Sequence, residues 1–213
     1  PTKDAFIHEG NPNTNYGTDV DLEVQSYSTR AIRLLVEFDI SSIPQNAYIT
    51  SATLKLYYYA CTAGFDSSRT YRVQRITSSW EETIVTWNNQ PSVSSEYVDC
   101  TIDNNPPYWW NVTVTSIAQL NDTLGFRIMD TVEDSTDQKS AWFRSKEYDS
   151  YDPKLEITYI YVPSIGEFQA PSKIYANKYF YLNATINDAD GVAEFVNATV
   201  ELNGTVILKW DNA

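Results

Sequence analysis

Chemistry needs side chains that move protons, hold cations or grip a ligand, and this chain is poor in the first kind. His8 is its single histidine, so any Ser-His or Cys-His nucleophile must pass through it. Its position at the end of an apolar first strand gives it a structural or incidental role. One histidine and two well-separated cysteines do not make a zinc site, and no Gly-rich phosphate loop occurs. Aspartate and glutamate are plentiful, 28 in all, but nothing singles out a pair spaced for glycoside hydrolysis. The chain reads as non-catalytic.

Two other kinds of chemistry are better supplied. Asp130-Thr-Val-Glu-Asp-Ser-Thr-Asp137 gathers Asp130, Glu133, Asp134 and Asp137 as hard oxygen ligands, and Asp149, Asp152, Asp188 and Asp190 form smaller groups. None has the spacing of a helix-loop-helix calcium loop. Solvated turns are the plainer reading of any one such loop. The sharper expectation is a structural Ca²⁺ in the first domain, on Asp130 to Asp137. The second kind is ligand gripping by basic and aromatic groups. Arg33, Arg72, Arg127, Arg144 and Lys146 lie on expected strands of an otherwise acidic domain. Arginine grips carboxylates bidentately, and Tyr57, Tyr59, Tyr71 and Trp142 can offer ring faces to sugar C–H surfaces. The competing reading is that Arg33–Glu37 and Arg144–Glu147 are ion pairs within the sheet.

Composition narrows the class. The 213 residues allow one large or two small domains. A hydrophobic content of 42% and an aromatic content of 14% describe a folded chain. Sixteen tyrosines and six tryptophans against seven glycines favour strands. A net charge of −13 argues against nucleic acid and anionic membrane surfaces as partners. No run approaches the roughly 20 apolar residues of a membrane helix. Cys61 and Cys100 permit one disulfide. Asn-x-Ser/Thr sequons at Asn111, Asn121, Asn183, Asn197 and Asn203 point to a secreted or cell-surface glycoprotein, with Asn111 the least suited of them. That setting favours the disulfide.

These residues need elements to hold them. Val20 to Val24, Ile32 to Asp39 and Ala52 to Tyr59 alternate apolar and polar side chains, the pattern of half-buried strands. Asp4 to His8, Thr70 to Thr77, Tyr97 to Ile102, Leu124 to Met129, Ala141 to Ser145 and Leu155 to Tyr161 bring the total to nine. One helix is expected, Val114 to Leu120, capped by Thr113. Trp80 to Pro91 holds two indoles and a turn proline without helix period or alternation. It reads as a loop folded back to plug one end of the β-structure. Pro163 marks a linker, and none of the seven arginines follows it. Beyond it, strands are expected at Lys178 to Ile186 and Phe195 to Leu202, the latter followed by an Asn203-Gly204 hairpin. The expectation is all-β: a jelly-roll sandwich over 1–161, then the first strands of an immunoglobulin-like sandwich over 162–213. An immunoglobulin-like domain takes roughly 100 residues, so the chain is expected to belong to a longer protein.

Trp80-Glu-Glu-Thr-x-Val-Thr-Trp87-Asn-Asn-Gln-Pro91 resembles the central signature of DNRLRE-type domains, found in disaggregatase-related surface proteins and in carbohydrate-binding modules attached to alginate lyases. Asp4-Ala-Phe-Ile7, Asn15-Tyr-Gly17, Arg33 to Asp39, Ser42-Ile-Pro44, Ser51 to Leu54, Asn111-Val-Thr113, Gly125-Phe126, Phe143-Arg-Ser-Lys-Glu147 and Pro153-Lys-Leu155 follow in the family's order. The resemblance covers roughly residues 1 to 160. It implies an extracellular jelly roll that binds acidic polysaccharide and has no catalytic machinery of its own. Arg144 falls within its Phe-Arg-Ser-Lys-Glu motif, which favours a structural role there. Two alternatives stand beside this reading: a surface-layer, sheath or adhesin segment that joins other surface proteins, and the accessory region of a lyase or hydrolase whose catalytic domain lies elsewhere.

Overall fold

The computed structural model describes residues 1–161 and, after them, strands at Ser164–Gln169, Asn183–Asn187, Asn197–Leu202 and Thr205–Asp211. The chain divides into two compact units, Pro1–Ile160 and Tyr161–Ala213. Alternating side chains build ten strands in the first: β1 (Lys3–His8), β2 (Asp21–Ser26), β3 (Ile32–Asp39), β4 (Ala47–Cys61), β5 (Arg69–Ile76), β6 (Val93–Ile102), β7 (Tyr108–Thr113), β8 (Thr123–Asp130), β9 (Lys139–Arg144) and β10 (Lys154–Tyr161). They curl into two walls of an all-β sandwich of the jelly-roll kind. One wall runs β1-β3-β8-β5-β6, the other β2-β9-β4, with β7 and β10 also against the long β4. A single bridge, Gln25 to Ile32, joins the walls.

The inward residues of both walls form the main core. Leu34, Val36, Phe38, Tyr71, Val73, Phe126 and Ile128 come from the first wall, and Leu22, Val24, Leu54, Leu56, Tyr58, Trp110, Val112 and Phe143 from the second. Each such side chain contributes about 1.5–3 kcal/mol when fully buried. A second, smaller core lies on the outer side of the first wall. There Ala5, Ile7, Leu35 and Ile76 pack under Trp80 and Val85, with Trp87 alongside. The tryptophan loop therefore covers a sheet face instead of plugging an end, because β3 carries apolar residues on both sides. Asn15 fastens it, its Nδ2 donating to the Glu82 and Val85 carbonyls at 2.7 Å. Gly17 lies against the same loop, and a Cβ there would stand 2.0 Å from the Glu82 carbonyl oxygen.

Three expectations change. The Val114–Leu120 helix is one 3-10 turn, Thr115–Ile117, after a strand ending at Thr113. The Val114 amide donates to Ala52 at 2.8 Å, and Val114 and Ile117 are buried. A segment this short gains more from joining β4 than from an isolated helix. The strand Tyr108–Thr113 was not expected at all. Cys61 and Cys100 are free thiols. Cys61 ends β4 opposite Ala141, and Cys100 lies on β6 opposite Tyr71, so they belong to opposite walls. Packed sheets stand about 10 Å apart, a gap that a disulfide spans only where the walls draw together.

In the second unit β11 (Ser164–Gln169) pairs antiparallel with β12 (Asn183–Asn187), and β13 (Asn197–Leu202) with β14 (Thr205–Asp211). Leu202 stands opposite Thr205. The expected Asn203-Gly204 turn, Asp188 and Asp190 lie outside the described residues, as do 178–182 and 195–196 of the two expected strands.

Candidate functional site

The basic and aromatic residues fall on two separate faces. Arg33, Arg72 and Arg127 share the outer side of the first wall, since Arg127 stands opposite Leu35 and Gln74, and Arg72 opposite Met129. Two of them are spent within the fold. Arg33 binds both Glu133 oxygens at 2.7 Å, donates to Gln90 at 2.8 Å and lies 4.3 Å over the Trp87 ring. Its partner is not Glu37, because residues four apart on a strand are about 13 Å apart; Glu37 takes Lys3 instead, at 3.1 Å. Arg72 grips Asp99 at 2.8 and 2.9 Å over the Tyr97 ring, and its hydrogen bonds hold the Asp99 carboxyl below the usual range. Arg127 differs. It donates to the amide oxygens of Gln74 at 2.6 Å and Gln90 at 3.3 Å, and its buried Nε has no partner. Burial, with the Arg33 charge behind it, pulls its pKa down to about 10.

Tyr57, Tyr59, Trp142 and Arg144 lie on the outer side of the second wall. Arg144 is fixed there, bonded to Asp21 at 2.6 Å and held between the Tyr59 and Tyr148 rings at 3.6 and 3.8 Å. It does not take Glu147, because the β2–β9 register sets Asp21 directly opposite. Tyr71 faces inward and is fully buried. Tyr57 belongs to a cluster that the sequence reading missed. The Tyr151 ring stacks on it at 3.9 Å, and Trp109, its cross-strand partner on β7, meets it edge-on at 5.4 Å. Tyr151 reaches this position from a left-handed backbone, φ 69°, which costs a non-glycine residue about 1–2 kcal/mol. It is 47% exposed. Beside the rings, Lys55, Trp109, Asn111, Lys154 and Glu156 line a cleft of about 250 Å³. Lys154 stands 4.8 Å over the Trp109 ring, with no carboxylate within ion-pair distance among the described residues. Lys55 pairs with Glu156 at 2.5 Å, but Glu156 is 62% exposed.

The remaining candidates are scattered. Asp130 is buried against Arg69 at 2.7 Å, and Glu133 is held by Arg33. With Asp134 and Asp137 they do not converge as cation ligands; among the described residues the converging trio is Asp4, Glu82 and Glu147. Lys146 sits beside that trio, bridging Glu82 at 3.1 Å and Glu147, and takes no part in either face. His8 accepts the Asn11 amide at 3.0 Å, and burial lowers its pKa. Asn121 is exposed before β8. Asn183 and Asn197 open β12 and β13, and Asn203 lies outside the described residues.

Residues 1–159 match the profile of carbohydrate-binding module family 96. The chain belongs to this family. Modules of this kind bind carbohydrate and are non-catalytic, so the place to look in this family 96 module is a surface that packs against sugar rings. No curated protein matches the chain. Among the described residues no helix is long and apolar enough to cross a membrane.

Proposed function

We propose that this module binds an acidic polysaccharide on the outer face of β4, β7 and β10, with Tyr57, Trp109 and Tyr151 as the stacking surface. The observation that carries the reading is the Trp109 cleft: a half-buried indole beside the exposed Tyr151 ring, with an ammonium, Lys154, over it that pairs with no carboxylate among the described residues. Pyranose C–H faces pack on aromatic rings as other apolar surfaces do, and an ammonium beside the ring favours a uronate over a neutral sugar. Lys55 can exchange its solvent-exposed partner Glu156 for a ligand carboxylate at little cost, and Asn111 offers an amide to hydroxyls. The uncompensated guanidinium of Arg127 supports a second reading of the same function, with the uronate on the opposite face.

The host protein on this reading is secreted or displayed at a cell surface, with sugar on its exposed asparagines. Its second unit is immunoglobulin-like on this reading, and the two antiparallel strand pairs there suit that assignment. The test is affinity electrophoresis of the chain through alginate and pectate, with mannan and a β-glucan as neutral counterparts, at low and moderate salt. Retardation by the uronate polymers that fades with salt is the expected result. Equal retardation by neutral polymers would remove the acidic preference, and none by any polymer would favour a role in joining surface proteins.

A further inference from the structure

We propose that Asp4, Glu82 and Glu147 form a divalent-cation site, of Ca²⁺ type, that ties three distant segments of the module together. One oxygen from each carboxylate lies within 4.8 Å of the others. Two oxygens bound to one Ca²⁺ are at most about 5 Å apart, so a single ion can reach all three. The ligands come from β1, the tryptophan loop and the turn after β9, and each is held by backbone contacts. The Asp4 amide donates to Glu82 Oε1 at 2.7 Å, the Lys146 amide donates to Asp4 Oδ2 at 3.0 Å, and the Glu147 amide donates to Ser145 Oγ at 3.2 Å.

The charges do not balance without an ion. Three carboxylates face one ammonium, Lys146, which serves Glu82 and Glu147 only. Asp4 is 1% exposed, and its Oδ1 is buried with no hydrogen-bond partner; Glu147 Oε2 is in the same condition. Unpaired buried carboxylate oxygens are costly, and these two belong to side chains in direct contact with each other. Burial, with the Glu147 charge added, pushes the Asp4 carboxyl up to about 7 in spite of the Lys146 amide and ammonium nearby. A hard divalent ion, completed by water, would satisfy both oxygens and neutralise the two surplus charges. This trio is distinct from the acidic loop at Asp130 to Asp137, whose first and fourth residues are engaged by arginines.

The experiment is calorimetric titration of Ca²⁺ into the chelator-treated full chain, together with thermal melts with and without Ca²⁺. One ion per chain and a higher melting temperature in Ca²⁺ are expected. Glu147→Gln and Glu82→Gln should lose both effects, whereas Asp134→Asn and Asp137→Asn should keep them. Glu147→Gln serves as the main variant, because Asp4→Asn risks disturbing the buried end of β1. No binding and no shift in the parent chain would show that the cluster is held by a shared proton and Lys146 alone. Retention of the Ca²⁺ effect in both Glu variants would place the ion elsewhere. Either result overturns the proposal.

Discussion

Arginine and lysine are put to different uses on this acidic surface. The guanidinium fork matches a carboxylate edge, and a chain with 28 carboxylates supplies one for most arginines. Arg33, Arg69, Arg72 and Arg144 are each clamped to a residue of their own fold. The arginines therefore mark ion pairs of the fold, and the proposed ligand contact rests on the lysine over Trp109 instead. The free thiols belong to this scale too. Titration of the unfolded, unreduced chain with a thiol reagent should find two thiols per molecule; none would mean that Cys61 and Cys100 are bridged in solution.

At the scale of elements, the tryptophan loop makes the outer side of β3 a second interior. Leu35 is fully buried there, under Trp80 and Val85. Leu35→Ala should lower unfolding stability by about 2–5 kcal/mol, read from urea denaturation. A loss under about 0.5 kcal/mol, the range of ordinary surface changes, would show that the loop does not seal that face. Strand alternation made most of the sandwich legible, and the odd apolar residue at position 35 was the sign that β3 is covered on both sides. Tyr108 to Thr113 went unread because Pro106-Pro107 and a sequon frame it as a corner. Its alternation, Trp110 and Val112 inward against Trp109 and Asn111 outward, held the strand signal. The missing strand hid Trp109, and with it the aromatic cleft. Cross-strand meetings such as Tyr57 with Trp109, or Asp4 with Glu82 and Glu147, depend on register and on long connections that local patterning does not encode.

At the scale of the whole molecule, a net charge of −13 sets a general repulsion against any polyanion. Binding of an acidic polysaccharide must then rest on a local surface where cations and rings outweigh that field. The most direct test is calorimetric titration of a uronate oligosaccharide into the parent chain and into Trp109→Ala, Lys154→Ala and Arg127→Ala variants. The account predicts affinity weakened roughly tenfold or more, about 1.4 kcal/mol, by Trp109→Ala, the scale of losing a central interface tryptophan. Lys154→Ala should remove most of the salt dependence, and Arg127→Ala should leave binding intact. Full affinity in Trp109→Ala with loss in Arg127→Ala would contradict it and move the site to the opposite wall.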